Sequence, residues 1–177
     1  MKMETLQDVY VEELRDLYDA ENQLLKALPR MAKAATSPEL KSAFEDHLEQ
    51  TQEHVNRLDQ VFEKIGAKPK GKRCEAMKGL IAEAKNLMSE RIEHDALDVG
   101  LIVAAQKVEH YEIAGYGSVR TFAELLGQDE ASGLLQETLE EEKETDERLT
   151  DLAESSINVE ALAGTEAARE SRAWQRP

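Results

Sequence analysis

Apolar residues recur at helical spacing along four stretches of roughly thirty residues each, separated by turn and start signals. From Thr5 the first stripe runs Leu6, Val9, Tyr10, Leu14, Leu17, Leu24, Leu28 and Met31, with Pro29 predicting a kink or re-start. Thr36-Ser37-Pro38-Glu39 reads as a stop followed by a start, with Ser37 as N-cap and Pro38 in the first turn. The second stripe ends at Ile65, and Gly66 is a natural terminator. Residues 66–72, GAKPKGK, form a loop, and a shorter amphipathic segment follows from Cys74 to Met88. A third long helix is predicted from near Ile92 to Leu126, a break at Gly127-Gln128-Asp129, and a fourth long helix to about Ser155.

These segments make two helical hairpins, 5–65 and 92–155, joined by a long connection. The chain is therefore expected to be all-α. Its pattern is the ferritin-like one, a four-helix bundle with one long crossover and an extra short helix. The bundle is assigned to residues 1–156 and a C-terminal tail to 157–177, helical only in its first part. Only four Pro and nine Gly occur in 177 residues, which leaves the helices room to form.

Charge narrows the function. A net −15 repels phosphate backbones, so no nucleic-acid partner is expected, and Arg169, Arg172 and Arg176 alternate with acids instead of forming a basic arm. One cysteine, Cys74, excludes an intrachain disulfide and points to a reducing compartment. No run is apolar enough to cross a membrane and the N-terminal MKMETLQDVY has no signal-like core, so the cytoplasm is expected.

The informative residues are acids placed where a core should be. At about 100° per residue, Glu21 lies within about 40° of the first stripe, Glu112 and Tyr116 within about 20° of the third, with Glu109 at about 40°. Glu142 and Asp146 lie within about 20° of the fourth. On the second helix His54 is the inward nitrogen, Gln50 stands one turn before it, and His47 is held in reserve. Counted from the nearest hairpin turn, Glu21, His54, Glu109, Glu112, Glu142 and Asp146 share one depth, roughly 24 Å from an end of the bundle, which is mid-bundle. A buried carboxylate costs several kcal/mol unless it is paired or bound to a cation. Divalent ions with oxygen and imidazole ligands supply that compensation, and bridging carboxylates allow two ions side by side. Tyr116 is read as a core residue with a bonded hydroxyl, His110 as a surface or dimer-interface residue, and the run Glu140–Glu142 as a solvated face apart from Glu142.

The segments AAQKVEHYEIAGY (104–116) and ETLEEEKETDERLTDL (137–152) resemble the YciF/YciE family of ferritin-like bacterial stress proteins. YDAENQL, HLEQTQEHVNRLDQVFE and RCEAMKGLIAEA add to the likeness, which spans residues 3–155. The resemblance implies a homodimer and a di-metal centre like that of rubrerythrin-type proteins, linked to stress but to no particular reaction. One departure stands out. The ferritin-like pattern carries two Glu-x-x-His pairs, whereas here Thr51 precedes His54 and Thr145 follows Glu142. A carboxylate-rich, nitrogen-poor centre is expected, suited to iron and open to manganese or magnesium, with up to two ions per chain. Three functions compete: peroxide- or oxygen-handling oxidoreductase, metal binding without turnover, and a metal-free homodimeric helical interaction module.

Overall fold

The computed structural model describes residues 3–70 and 72–164. Five α-helices account for the fold: α1 Leu6–Ala34, α2 Pro38–Lys64, α3 Glu75–Ser89, α4 His94–Leu125 and α5 Asp129–Leu152. A π-helical turn, Ala153–Ile157, extends α5, and helical conformation continues through residue 164. Arg169, Arg172 and Arg176 lie outside the described residues.

The ends of the helices follow local chemistry. Thr5 caps α1 in a capping box: its hydroxyl accepts from the Asp8 amide, and its own amide donates to the Asp8 carboxylate. Ser37 caps α2 by accepting from the Leu40 amide at 3.2 Å, with Pro38 at the first position, where its missing N–H costs nothing. Gly66 and Gly127 take positive φ (64° and 71°) and end α2 and α4. The paired bonds Gly127 N to Glu124 O and Gln128 N to Ala123 O make the second of these ends a Schellman turn. Pro29 does not re-start α1, which runs on to Ala34 as one helix. The proline sits on the exposed side, where the carbonyl it leaves unpaired is not forced into the core.

Packing fixes the topology. Around the bundle each helix has two neighbours, α1 touching α2 and α4, and α5 touching α4 and α2, while α3 lies outside against α4 and α1. Asp98 in the first turns of α4 accepts from the amides of Thr36 and Ser37 and from the Thr36 hydroxyl, at 2.7–2.9 Å. At the opposite end Lys64, closing α2, pairs with Glu130 at the start of α5. The start of α4 therefore lies beside the α1–α2 turn, and α3 carries the chain back along the bundle. Its 15 residues span about 22 Å. All four neighbouring pairs run antiparallel.

The apolar core is in two parts. Leu24, Leu28, Met31, Phe44, Leu101, Ile102 and Leu149 fill the end at the α1–α2 turn, joined by Cys74, Met77 and Ile157. Tyr10, Leu14, Leu58, Phe62, Val119 and Leu135 fill the other. Between them, every helix of the four presents polar side chains to the axis.

Asp98, which the helical pattern alone did not single out, is 3% exposed and ties α4 to the α1–α2 turn. Asp98→Ala removes three acceptor contacts and should lower stability by about 1–2 kcal/mol, since the partly exposed donors can still reach water. Thermal unfolding should show Tm lower by roughly 3–6 °C for a chain of this size.

Candidate metal centre

The layer between the two apolar halves is made by α1, α2, α4 and α5. Glu21 comes from α1, His47 and His54 from two turns of one face of α2, Glu109 and Glu112 from adjacent turns of α4, and Glu142 from α5. All six are at most 2% exposed. Two groups of ligand-type atoms result, each lying within 4.8 Å of one another: His47, Glu109, Glu112 and Glu142, and Glu21, His54 and Glu142. Glu142 belongs to both. Its Oε1 lies 3.0 Å from His54 Nδ1 and its Oε2 lies 4.0 Å from His47 Nε2. His47 Nε2 is also 3.3 Å from Glu109 Oε1, and His54 Nδ1 is 3.4 Å from Glu21 Oε1.

Few of these approaches are hydrogen bonds. Among the described residues, twelve buried side-chain nitrogen and oxygen atoms have no hydrogen-bond partner, and eight belong to these six residues. They are Glu21 Oε2, His47 Nε2, His54 Nδ1, Glu109 Oε2 and both carboxylate oxygens of Glu112 and Glu142. His54 Nδ1 is close enough to Glu142 but off the direction an N–H bond needs. Buried polar atoms are otherwise almost always paired. Oxygen and imidazole donors converging from four helices are the ligand set that divalent transition ions take, so the residues present fit a metal pair.

The electrostatics show the same crowding. Burial, reinforced by the Glu142 charge, pushes Glu109 well above the usual carboxylate range. Glu112 is pushed well up by burial and by the charges of Glu21 and Glu142. Burial also raises Glu21, although His54 and the Tyr116 hydroxyl pull against it. For Glu142 burial acts upward too, but His54 outweighs it and holds the carboxyl below its ordinary value. Burial disfavours charge on His54, yet Glu142 and Glu21 together raise it to about 11.

Around this layer sit residues that touch its side chains. Tyr116, 0% exposed, donates its hydroxyl to Glu21, as expected for a core tyrosine with a bonded hydroxyl. Burial and the Glu21 and Glu112 charges keep that phenol protonated. Thr51 donates to the His47 carbonyl at 2.8 Å, so its hydroxyl turns back on its own helix. Thr145 lies 3.5 Å from His47 Nδ1 and 3.4 Å from Gln50 Oε1.

Of the residues singled out by pattern, Glu21, His54, Glu109, Glu112 and Glu142 meet in the layer. Gln50 and Asp146 stand at its edge. Gln50 touches Thr145, and Asp146 pairs with His110, which is a surface residue, at 3.2 Å while its Oδ1 is buried and unpartnered. The expectation of a single inward nitrogen is corrected: His47 enters as fully as His54. Periodicity left His47 in reserve, because the neighbouring helices decide whether a residue beside the apolar stripe faces the axis. Glu141 was read as part of a solvated face, yet it accepts from His54 Nε2 at 2.8 Å. Cys74, buried, caps α3 by accepting from the Met77 amide, and burial pushes its thiol up, away from the reactive thiolate.

An antiparallel four-helix bundle with a long crossover and a central carboxylate–histidine layer is a ferritin-like protein. The chain belongs to the family described as Domain of unknown function (DUF892), whose model matches residues 5–162. It is 48% identical over 162 residues to Protein YciF of Escherichia coli (strain K12), covering 91% of this chain and 98% of that protein. The crystal structure of the E. coli stress protein YciF matches with a TM-score of 0.85 over 88% of this chain and 99% of that one. YcfI from Rhodopseudomonas palustris, 44% identical, matches with a TM-score of 0.81 over 84% of this chain and 95% of that one. A two-domain protein of Anabaena variabilis with DJ-1/ThiJ/PfpI-like and ferritin-like domains is 15% identical. It shares the fold alone, with a TM-score of 0.57 over 88% of this chain and 38% of that one.

The raised carboxyls predict how the metal-free protein responds to pH. Glu109 and Glu112 hold protons more tightly folded than unfolded, so their contribution is full below about 4.5 and is lost as pH rises through the raised values. His54 acts in the same sense, its contribution disappearing only towards pH 11. Glu142 acts oppositely, losing its contribution as pH falls through its lowered value. Glu109→Gln removes a charge and keeps the shape, so it should stabilise the metal-free bundle at pH 8 by on the order of 1–2 kcal/mol, and less at pH 6. Thermal melts at both pH values read this out; destabilisation at both would mean that Glu109 serves in a structural pair.

Proposed function

We propose that the chain is a stress-linked, carboxylate-bridged two-metal protein that binds iron or manganese in its central layer. The observation carrying this reading is the set of eight unpartnered, buried donor atoms on six residues from four helices. Glu21, His54 and Glu142 would hold one ion and His47, Glu109, Glu112 and Glu142 the other, with Glu142 bridging. Two imidazoles beside four carboxylates favour iron or manganese over magnesium, which prefers an all-oxygen shell. Gln50 and Asp146 would line the rim of the centre.

Bound iron would supply one-electron chemistry towards peroxide or oxygen. The protein's own part is to hold the ligands and keep the layer dry. Leu17 and Leu139 close it on one side and Leu24 and Ala105 on the other, all buried. Tyr116 keeps its proton and uses it to orient Glu21. The link to stress comes from the similarity to YciF, itself described as a stress protein. Among the described residues no helix is long and apolar enough to cross a membrane, and a cytoplasmic site of action accompanies this reading.

After anaerobic loading with ferrous or manganous ion, metal analysis should find about two ions per chain, as the two sharing ligand groups imply. Glu109→Ala combined with Glu142→Ala should abolish retention, and retention at the unmodified level would remove the assignment. Peroxide consumption by the iron-loaded protein, above that of free iron, distinguishes oxidoreductase from storage. A protein that folds normally but retains no metal would instead support the interaction module.

We further propose a homodimer, on the family resemblance. Light scattering should give about twice the 19.9 kDa chain mass, and a monomer mass at micromolar concentration would exclude the dimer.

A further inference from the structure

The two nitrogens of His54 face opposite ways. Nδ1 looks into the layer, towards Glu142 and Glu21. Nε2 looks outward and meets Glu141 Oε2 at 2.8 Å. Glu141 is held in turn by Arg57, whose Nη1 and Nη2 reach its two oxygens at 2.6 and 2.8 Å. Arg57 stands one turn beyond His54 on α2, and its Nη1 also donates to Thr138 Oγ1 at 3.3 Å. Glu141 and Glu142 are consecutive on α5, about 100° apart, so one faces the axis and the other faces the α2–α5 seam. His47 is supported differently: among the described residues its Nδ1 meets the Thr145 hydroxyl alone, at 3.5 Å.

A histidine that binds a metal through one nitrogen has its orientation set by the bond the other makes. An ionised carboxylate accepts and cannot donate. It therefore fixes the ring hydrogen on Nε2 and leaves the Nδ1 lone pair for a metal, and such outer partners change metal affinity markedly when removed.

We propose that Glu141, locked in place by Arg57, is a positioning residue that presents His54 Nδ1 to the ion shared by Glu21 and Glu142. It acts on that ion position alone, leaving the position at His47 to find its own geometry. The His54-x-x-Arg57 pair on α2 and the Glu141-Glu142 pair on α5 then form one device, with an inner half that binds and an outer half that aims. The inference rests on the two-metal reading above.

Manganese titration of the full chain, followed by the electron paramagnetic resonance of the free ion, tests it. Two binding steps are expected for the unmodified protein. Glu141→Ala should weaken one step by about 10–100-fold, the range seen for outer partners of metal ligands, and leave the other within about threefold. Glu141→Gln, which keeps an acceptor oxygen towards His54, should recover most of the loss. In a His54→Gln background Glu141→Ala should change neither step further, because its effect passes through that ring. If Glu141→Ala does not fold, Arg57→Met tests the same point and should weaken the same step severalfold. Unchanged affinity in a folded variant, or an effect that persists without His54, overturns the positioning role. Failure of the unmodified protein to bind manganese or iron overturns the two-metal reading instead.

Discussion

A carboxylate taken out of water is destabilising by several kcal/mol unless something positive meets it, and this bundle buries four at one level. Among the described residues, the nitrogens that face these carboxylates within the layer belong to two imidazoles, His47 and His54. The arrangement therefore persists either by keeping protons on some carboxyls or by taking up cations. The rest of the structure accommodates that layer. Apolar packing is divided into two halves, each with its own aromatic and leucine cluster. At each end a polar tie adds to that apolar packing: Asp98 at one, and the Lys64–Glu130 pair at the other.

The two threonines that break the familiar Glu-x-x-His pattern are not losses. Thr51 satisfies itself on the His47 carbonyl, and Thr145 stands beside His47. The nitrogen missing from α5 is replaced by one from α2, two turns before His54. Both imidazoles thus come from a single helix, while α4 supplies two carboxylates. The distribution of these side chains among the helices differs, and the chemical composition of the layer has stayed close to that of the ferritin-like pattern.

Much of this was legible in the residue order. Helix periodicity, the Ser37-Pro38 start and the glycines at 66 and 127 placed every long helix to within a few residues. Glu21, Glu109, Glu112 and Glu142 declared themselves by sitting on apolar stripes at equal depth. What periodicity could not resolve was the shoulder of a helix, where a side chain faces the axis or the solvent according to which helix lies beside it. His47 and Glu141 were turned to the interior side by the helix beside them, while Asp146, though within about 20° of its stripe, ended at the edge of the layer; each found a partner on a different helix. Asp98 was invisible for another reason. Its role is to receive amides from a turn some sixty residues away in the chain, and no local pattern encodes that.

The two hairpin turns sit at opposite ends of the bundle, and the polar layer lies midway between them. One residue inserted between the layer and a turn would swing everything beyond it by about 100° and advance it 1.5 Å. The buried polar side chains would then face the wrong way relative to the apolar end they adjoin. Seven residues come close to two full turns, with a drift of only about 20°. Arms of this architecture can therefore grow or shrink only in steps of about seven, matched between neighbouring helices. The chain between α2 and α3 lies outside the helices that build the layer, so a change of length there leaves their register untouched.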